Sequence, residues 1–162
     1  MLVLLATFLA GAQQSYASSF GCSFKTSCSA SETALLYVKN DTGTGGFLNA
    51  HAQLASNGTY PYALCCSSDL ALSSSCANSS TTWLRISDIS NAHVQTANTT
   101  ASAYSQSICG GAINGGIRVK YATNCPSGFL AVASISNDTN AHIGDSAEYS
   151  LKVCLAVDST PN

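Results

Sequence analysis

Asn49-Ala50-His51, Asn91-Ala92-His93 and Asn140-Ala141-His142 are three copies of one tripeptide, and they hold all three histidines of the chain. Each copy leads through a polar loop to a tyrosine and, five positions later, to a cysteine: Tyr60 with Cys65, Tyr104 with Cys109, Tyr149 with Cys154. Self-similarity of this kind marks a repeat architecture, in which each copy is one supersecondary unit that packs on its neighbours. The units span about 28–66, 76–109 and 125–155.

Upstream of each tripeptide lies an apolar run with strand character. Thr33–Lys39 opens the first unit, Trp83–Ile89 alternates apolar and polar residues in the second, and Phe129–Ile135 is more continuously apolar in the third. The continuity of the last predicts a central strand. Downstream, Tyr60–Cys66, Tyr104–Cys109 and Tyr149–Val157 close the units as strands, with Pro61 marking an edge or a strand start. Ile117–Tyr121 is a further alternating strand without a counterpart in the first unit. Turn signals such as Asn57-Gly58 separate the runs, and no window outside the amino terminus has a helical period. The pattern predicts an all-β domain of roughly nine or ten strands.

Eight cysteines, an even count without a Cys-x-x-Cys knuckle, favour disulfides in an oxidising compartment over zinc ligation. Each unit has one cysteine ahead of its first recognisable strand and one at the end of its last. The repeat therefore assigns Cys28 to Cys65, Cys76 to Cys109 and Cys125 to Cys154, and leaves Cys22 to Cys66. The expected fold is a disulfide-stapled β-sandwich of three divergent repeats, 18–157, with a β-trefoil as the alternative. Three recognisable strands per unit fall short of the trefoil's four.

Residues 1–17 begin with an apolar run, and small residues at Ser15 and Ala17 resemble a signal-peptidase site. The expectation is a cleaved signal peptide, with a retained apolar arm that inserts into a neighbouring subunit as the alternative. Residues 158–162 read as a polar tail. Charged residues are only 9% of the chain and the net charge is −2, so six scattered Lys and Arg supply no patch for nucleic acid or an anionic membrane. Sequons at Asn40, Asn57, Asn78, Asn98 and Asn137 fall largely at equivalent loop positions, as expected of exposed, glycosylated tips.

The chemistry-bearing residues are few. His51, His93 and His142 would suit zinc or copper if a threefold arrangement brought them to one axis. The unequal His-to-Tyr spacings of nine, eleven and seven residues argue against that. They favour a structural reading, in which Asn takes a turn conformation and the imidazole packs or bonds a neighbouring carbonyl. Tyr60, Tyr104 and Tyr149 are read as packing over disulfides with their hydroxyls on backbone, rather than as a sugar-stacking face. No serine sits in a Gly-x-Ser-x-Gly elbow, and the acids form no calcium ladder. No catalytic residue and no cofactor are assigned, and an enzyme is not expected.

The succession of apolar strand, Asn-x-His, loop, Tyr and Cys, clearest in the first unit with Tyr60-Pro61-Tyr62-Ala63-Leu64-Cys65-Cys66, resembles a repeat of uncharacterised Cys-rich secreted proteins of archaeal type. The resemblance covers most of residues 28 to 155; the second and third units depart from it in having single cysteines. It implies surface display and carries no catalytic residue. The sequence thus leads to an extracellular cell-surface glycoprotein with a structural or adhesive role, including filament formation. Its partners would be itself, other surface components or glycans, with no membrane contact after cleavage. The alternative is a ligand-binding module for a glycan or a metal.

Overall fold

The computed structural model describes residues 19–39, 49–77, 80–100, 104–113 and 115–158. The apolar segment 1–17, Asn40, Asn78 and residues 159–162 lie outside the described residues. Every described element is a β-strand. The first unit comprises β1 (Gly21–Lys25), β2 (Thr33–Lys39), β3 (His51–Leu54) and β4 (Tyr62–Ser67). The second comprises β5 (Leu72–Ser73), β6 (Thr81–Ile86), β7 (Val94–Thr96) and β8 (Gln106–Ala112). The third comprises β9 (Gly116–Ala122), β10 (Leu130–Ile135), β11 (Ile143–Gly144) and β12 (Leu151–Asp158).

Each unit folds into one four-stranded antiparallel sheet, and all three sheets share one order: opening strand, closing strand, second strand, third strand. The protein is therefore all-β, and the expected packing of sheets across a common core is realised with one sheet per repeat. Twelve strands are described, where the sequence showed nine or ten. The additions include β1 and β5, and Ile117–Tyr121 proves to be within β9, the third unit's opening strand. Four strands per unit match a trefoil in number. The pairing runs opening to closing and closing to second strand, so the first two strands of a unit are not a hairpin.

The same irregularity recurs in every sheet. The ladder between second and closing strands skips a residue between Ala34 and Leu36, between Thr82 and Leu84, and between Ala131 and Ala133. The extra residues are Leu35, Trp83 and Val132. In a regular strand successive side chains face opposite ways, but a bulge re-aims one of them. Consecutive pairs such as Leu35-Leu36 and Trp83-Leu84 therefore enter the same core cluster. That cluster draws on all three units, so the described residues share one core.

Four disulfides staple the units: Cys22–Cys66, Cys28–Cys65, Cys76–Cys109 and Cys125–Cys154, the pairs that the repeat assigns. No cysteine is free. In β12, Asp158 is buried and receives Arg118 Nε at 2.6 Å and Nη2 at 3.1 Å. This paired carboxylate makes Asp158 the last residue of a strand, where the sequence reading began the tail.

Tyr121 on β9 ties the third unit to the second. Its hydroxyl donates to the Trp83 carbonyl at 2.5 Å and accepts the Ala97 N–H at 2.9 Å. Burial pushes this phenol up to about 12, against a smaller opposing pull from the Ala97 N–H.

Candidate metal centre

The site begins with a backbone conformation. Asn49, Asn91 and Asn140 have φ of 54°, 50° and 50°, and they are the only non-glycine residues described with positive φ. Asparagine tolerates this left-handed region because its short polar side chain bonds locally. The turn so produced throws each Ala-His segment across onto a neighbouring unit.

There the three segments close a ring. Ala50 exchanges both backbone hydrogen bonds with Ile143, Ala92 with Ala52, and Ala141 with Val94, at 2.8–3.1 Å. In each tripeptide the alanine thus pairs with the residue after the histidine of another unit, and three such pairings return to the start. The relation is that of a threefold axis. Ala50, Ala92 and Ala141 are buried in the core cluster, where the crowded axis has room for a methyl group.

The histidines stand between these pairing positions and converge. Their ring centroids are 5.1 Å apart for His51 and His93, 5.3 Å for His51 and His142, and 4.8 Å for His93 and His142. One ligand nitrogen from each ring lies within 4.8 Å of the others, and all three rings are half-buried. The unequal spacings that argued against convergence have a simple resolution. Their variation lies in loops after each ring segment, while the ring is fixed by the Asn turn and the backbone pairs.

Two of the imidazoles are also bonded from unit to unit. His51 Nδ1 lies 2.7 Å from Asn91 Oδ1, and His93 Nδ1 lies 2.6 Å from Asn140 Oδ1. The tyrosines address the same asparagines. Tyr60 Oη accepts the Asn91 N–H at 2.8 Å, and Tyr104 Oη donates to Asn140 Oδ1 at 3.4 Å. Tyr149 Oη does both at Asn49, at 2.9 and 2.8 Å. The expected role of Asn as a turn residue and that of Tyr as a hydroxyl on backbone are thus parts of one construction. The backbone bond is seen at Tyr60 and Tyr149 and is replaced at Tyr104 by a bond to the Asn140 side chain. The carbonyl that meets His51 and His93 is the asparagine amide of another repeat.

Each tyrosine is held in turn by a buried polar side chain. Gln53 Oε1 accepts the Tyr60 N–H at 3.0 Å, and Gln95 Oε1 accepts the Tyr104 N–H at 2.8 Å. Gly144 takes the corresponding place in the third unit, and there Ser134 Oγ accepts the Tyr149 N–H at 2.9 Å. Ser87 and Ser136 fix the backbone of His93 and His142. Each N–H donates to the histidine carbonyl, and each Oγ accepts the histidine N–H. The sequence reading passed over Gln53 and Gln95, although both stand two residues after the histidine and the repetition was there to be seen.

Asn57, Asn98 and Asn137 are exposed, as sequon tips require. No helix among the described residues is long and apolar enough to cross a membrane. No protein-family model, curated protein or solved structure matches the chain.

Proposed function

We propose that the protein is an extracellular, disulfide-stapled module that binds one divalent transition-metal ion through His51, His93 and His142. The observation that carries this reading is the convergence of three imidazoles, one from each repeat, with ligand nitrogens within 4.8 Å of one another. Zinc–imidazole bonds of about 2.0–2.1 Å put tetrahedral ligand nitrogens roughly 3.3–3.4 Å apart. His51 and His142 lie parallel, 5° between their planes, and His93 crosses them at 78° and 82°, so the rings would have to turn to aim three nitrogens at one ion. Three histidines drawn from segments of three units that are not coplanar suit tetrahedral zinc better than the square-planar or tetragonal preference of copper(II).

The asparagine amides that face His51 and His93 support the same reading. Metal-bound histidines typically donate their second ring N–H to a carboxylate, carbonyl or water, which fixes the ring's tautomer and orientation. Four disulfides support the oxidising, extracellular setting. The test is a calorimetric titration of the intact protein with zinc. A single site lost in His51→Ala, His93→Ala and His142→Ala supports the proposal, and no heat above dilution overturns it.

The second reading is a structural or adhesive glycoprotein of the cell surface, built into a filament through the apolar segment 1–17. Three exposed sequon tips on a rigid, stapled core favour it. Electron microscopy of the purified chain decides it: ordered assemblies support the reading, and monomers under all conditions remove it.

A further inference from the structure

The metal site proposed above has a chemical imbalance, and from it we infer a second ligand: the metal-loaded triad takes one small monoanion at its remaining coordination position. The inference rests on the metal-binding reading and goes beyond it.

The first step is the tautomer. An amide oxygen only accepts hydrogen bonds. The oxygens facing His51 and His93 are those of Asn91 and Asn140, and the Tyr104 hydroxyl also donates to the Asn140 oxygen. Nδ1–H is therefore the donor in both rings, and the ligating lone pair is on Nε2. The asparagine acts as the outer-shell partner of a metal-bound histidine.

The second step is charge. The described group able to hold an ion consists of the three histidines, with no carboxylate or thiolate among them. The imidazoles bring no negative charge, so a divalent ion there keeps its full charge in a half-buried setting. Such an ion attracts an anion far more strongly than one whose charge is offset by a protein carboxylate.

The third step is coordination number. Zinc sites with four protein ligands are closed, whereas those with three keep a position for an exogenous ligand. The three histidines come from three units, and a zinc ion held by them would keep one position for a ligand the protein does not supply. Half-exposed rings leave it open to solvent. A small monodentate monoanion, such as azide, bicarbonate or a simple carboxylate, fits this position. It enters as a coordinated water leaves, and no electrons are transferred.

Cobalt(II) in place of zinc makes the site visible. The intact protein would be loaded with one equivalent of cobalt, and its visible spectrum followed while azide is added. The expected result is an intense low-symmetry band that shifts with azide and saturates at one anion per metal. His142→Ala should lose both band and shift, and Asn98→Gln, at an exposed loop, should keep both. A cobalt band indifferent to azide would overturn the anion site and leave the metal reading standing. Cobalt that fails to bind, or binds equally to His142→Ala with its circular dichroism unchanged, would overturn both.

Discussion

The ring at the axis and the opening strands of the three units stem from one repeat, yet they keep it with opposite fidelity. In the ring the asparagine φ angles agree within a few degrees, and the backbone pairs are equivalent. The opening strands β1, β5 and β9 have five, two and seven residues. Each ring segment pairs with both other units, so a change in one copy disturbs two junctions. An opening strand lies at the edge of its sheet, where no outer partner constrains its length. Threefold symmetry is therefore strict at the axis, where each segment pairs with both other units. It is loose in the opening strands, which lie at sheet edges and meet other units through contacts peculiar to each, such as Tyr121 on Trp83 and Ala97.

The contrast is broken most severely by removing the staple where the opening strand is weakest. The bridges Cys76–Cys109 and Cys125–Cys154 close similar separations, 33 and 29 residues. Loop entropy alone assigns both roughly 3.5 kcal/mol. The third unit also holds its opening strand by seven register pairs, the second by two. Replacing Cys125 and Cys154 by alanine should cost about 3.5 kcal/mol, the loop-entropy loss alone. Replacing Cys76 and Cys109 should cost about 5 kcal/mol, because the two-residue edge strand is released as well. Guanidinium unfolding of the two double mutants measures the difference; equal losses would show that the edge ladder contributes nothing.

A smaller effect comes from the junction that has its own clamp. In the folded protein the Tyr121 phenol is pushed up to about 12, from an ordinary value of 10.0. As pH rises through 10 the unfolded chain loses its proton first. The clamp's contribution is therefore complete below pH 10 and is lost as pH climbs through 12. The loss is about 2–3 kcal/mol. Unfolding free energies across that range should fall more steeply in the wild type than in Tyr121→Phe.

The third effect probes the ring itself. Asn91→Ala puts a Cβ residue without a local hydrogen bond at φ 50° and removes the partner of His51 Nδ1. About 2 kcal/mol of stability should go, with roughly 10–100-fold of zinc affinity. Asn91→Gly relieves the backbone strain and should recover about 1 kcal/mol of stability but none of the affinity. Chemical denaturation and zinc titration of the two variants separate the turn from the outer-shell role.

How much of this was legible follows the same division. The tripeptides, the tyrosines and the cysteine pairing could be read because the chain repeats them in register, the first two at the junctions between units and the cysteines as staples within each unit. The two-residue β5 lies next to serine-rich sequence with no alternation of its own, and it is a strand only because Leu72 and Ser73 pair with Ala112 and Gly111. Convergence of the histidines was hidden for a different reason. Spacing along the chain measures the loops, whereas the imidazoles are placed by hydrogen bonds between units, which leave no periodic trace.

The smallest effects belong to the outward-facing loops and sharpen the comparison from its other side. Asn57, Asn98 and Asn137 are exposed, and none of them pairs with the ring. Substitution of each by glutamine should change stability by no more than about 0.5 kcal/mol, the range for surface positions away from special contacts. Zinc affinity should not move. In protein from a glycosylating host, each substitution should also remove one glycan mass from the intact spectrum. A loop substitution that weakened zinc binding tenfold would show that the axis is supported from the periphery, and strict symmetry could then no longer be assigned to the ring alone.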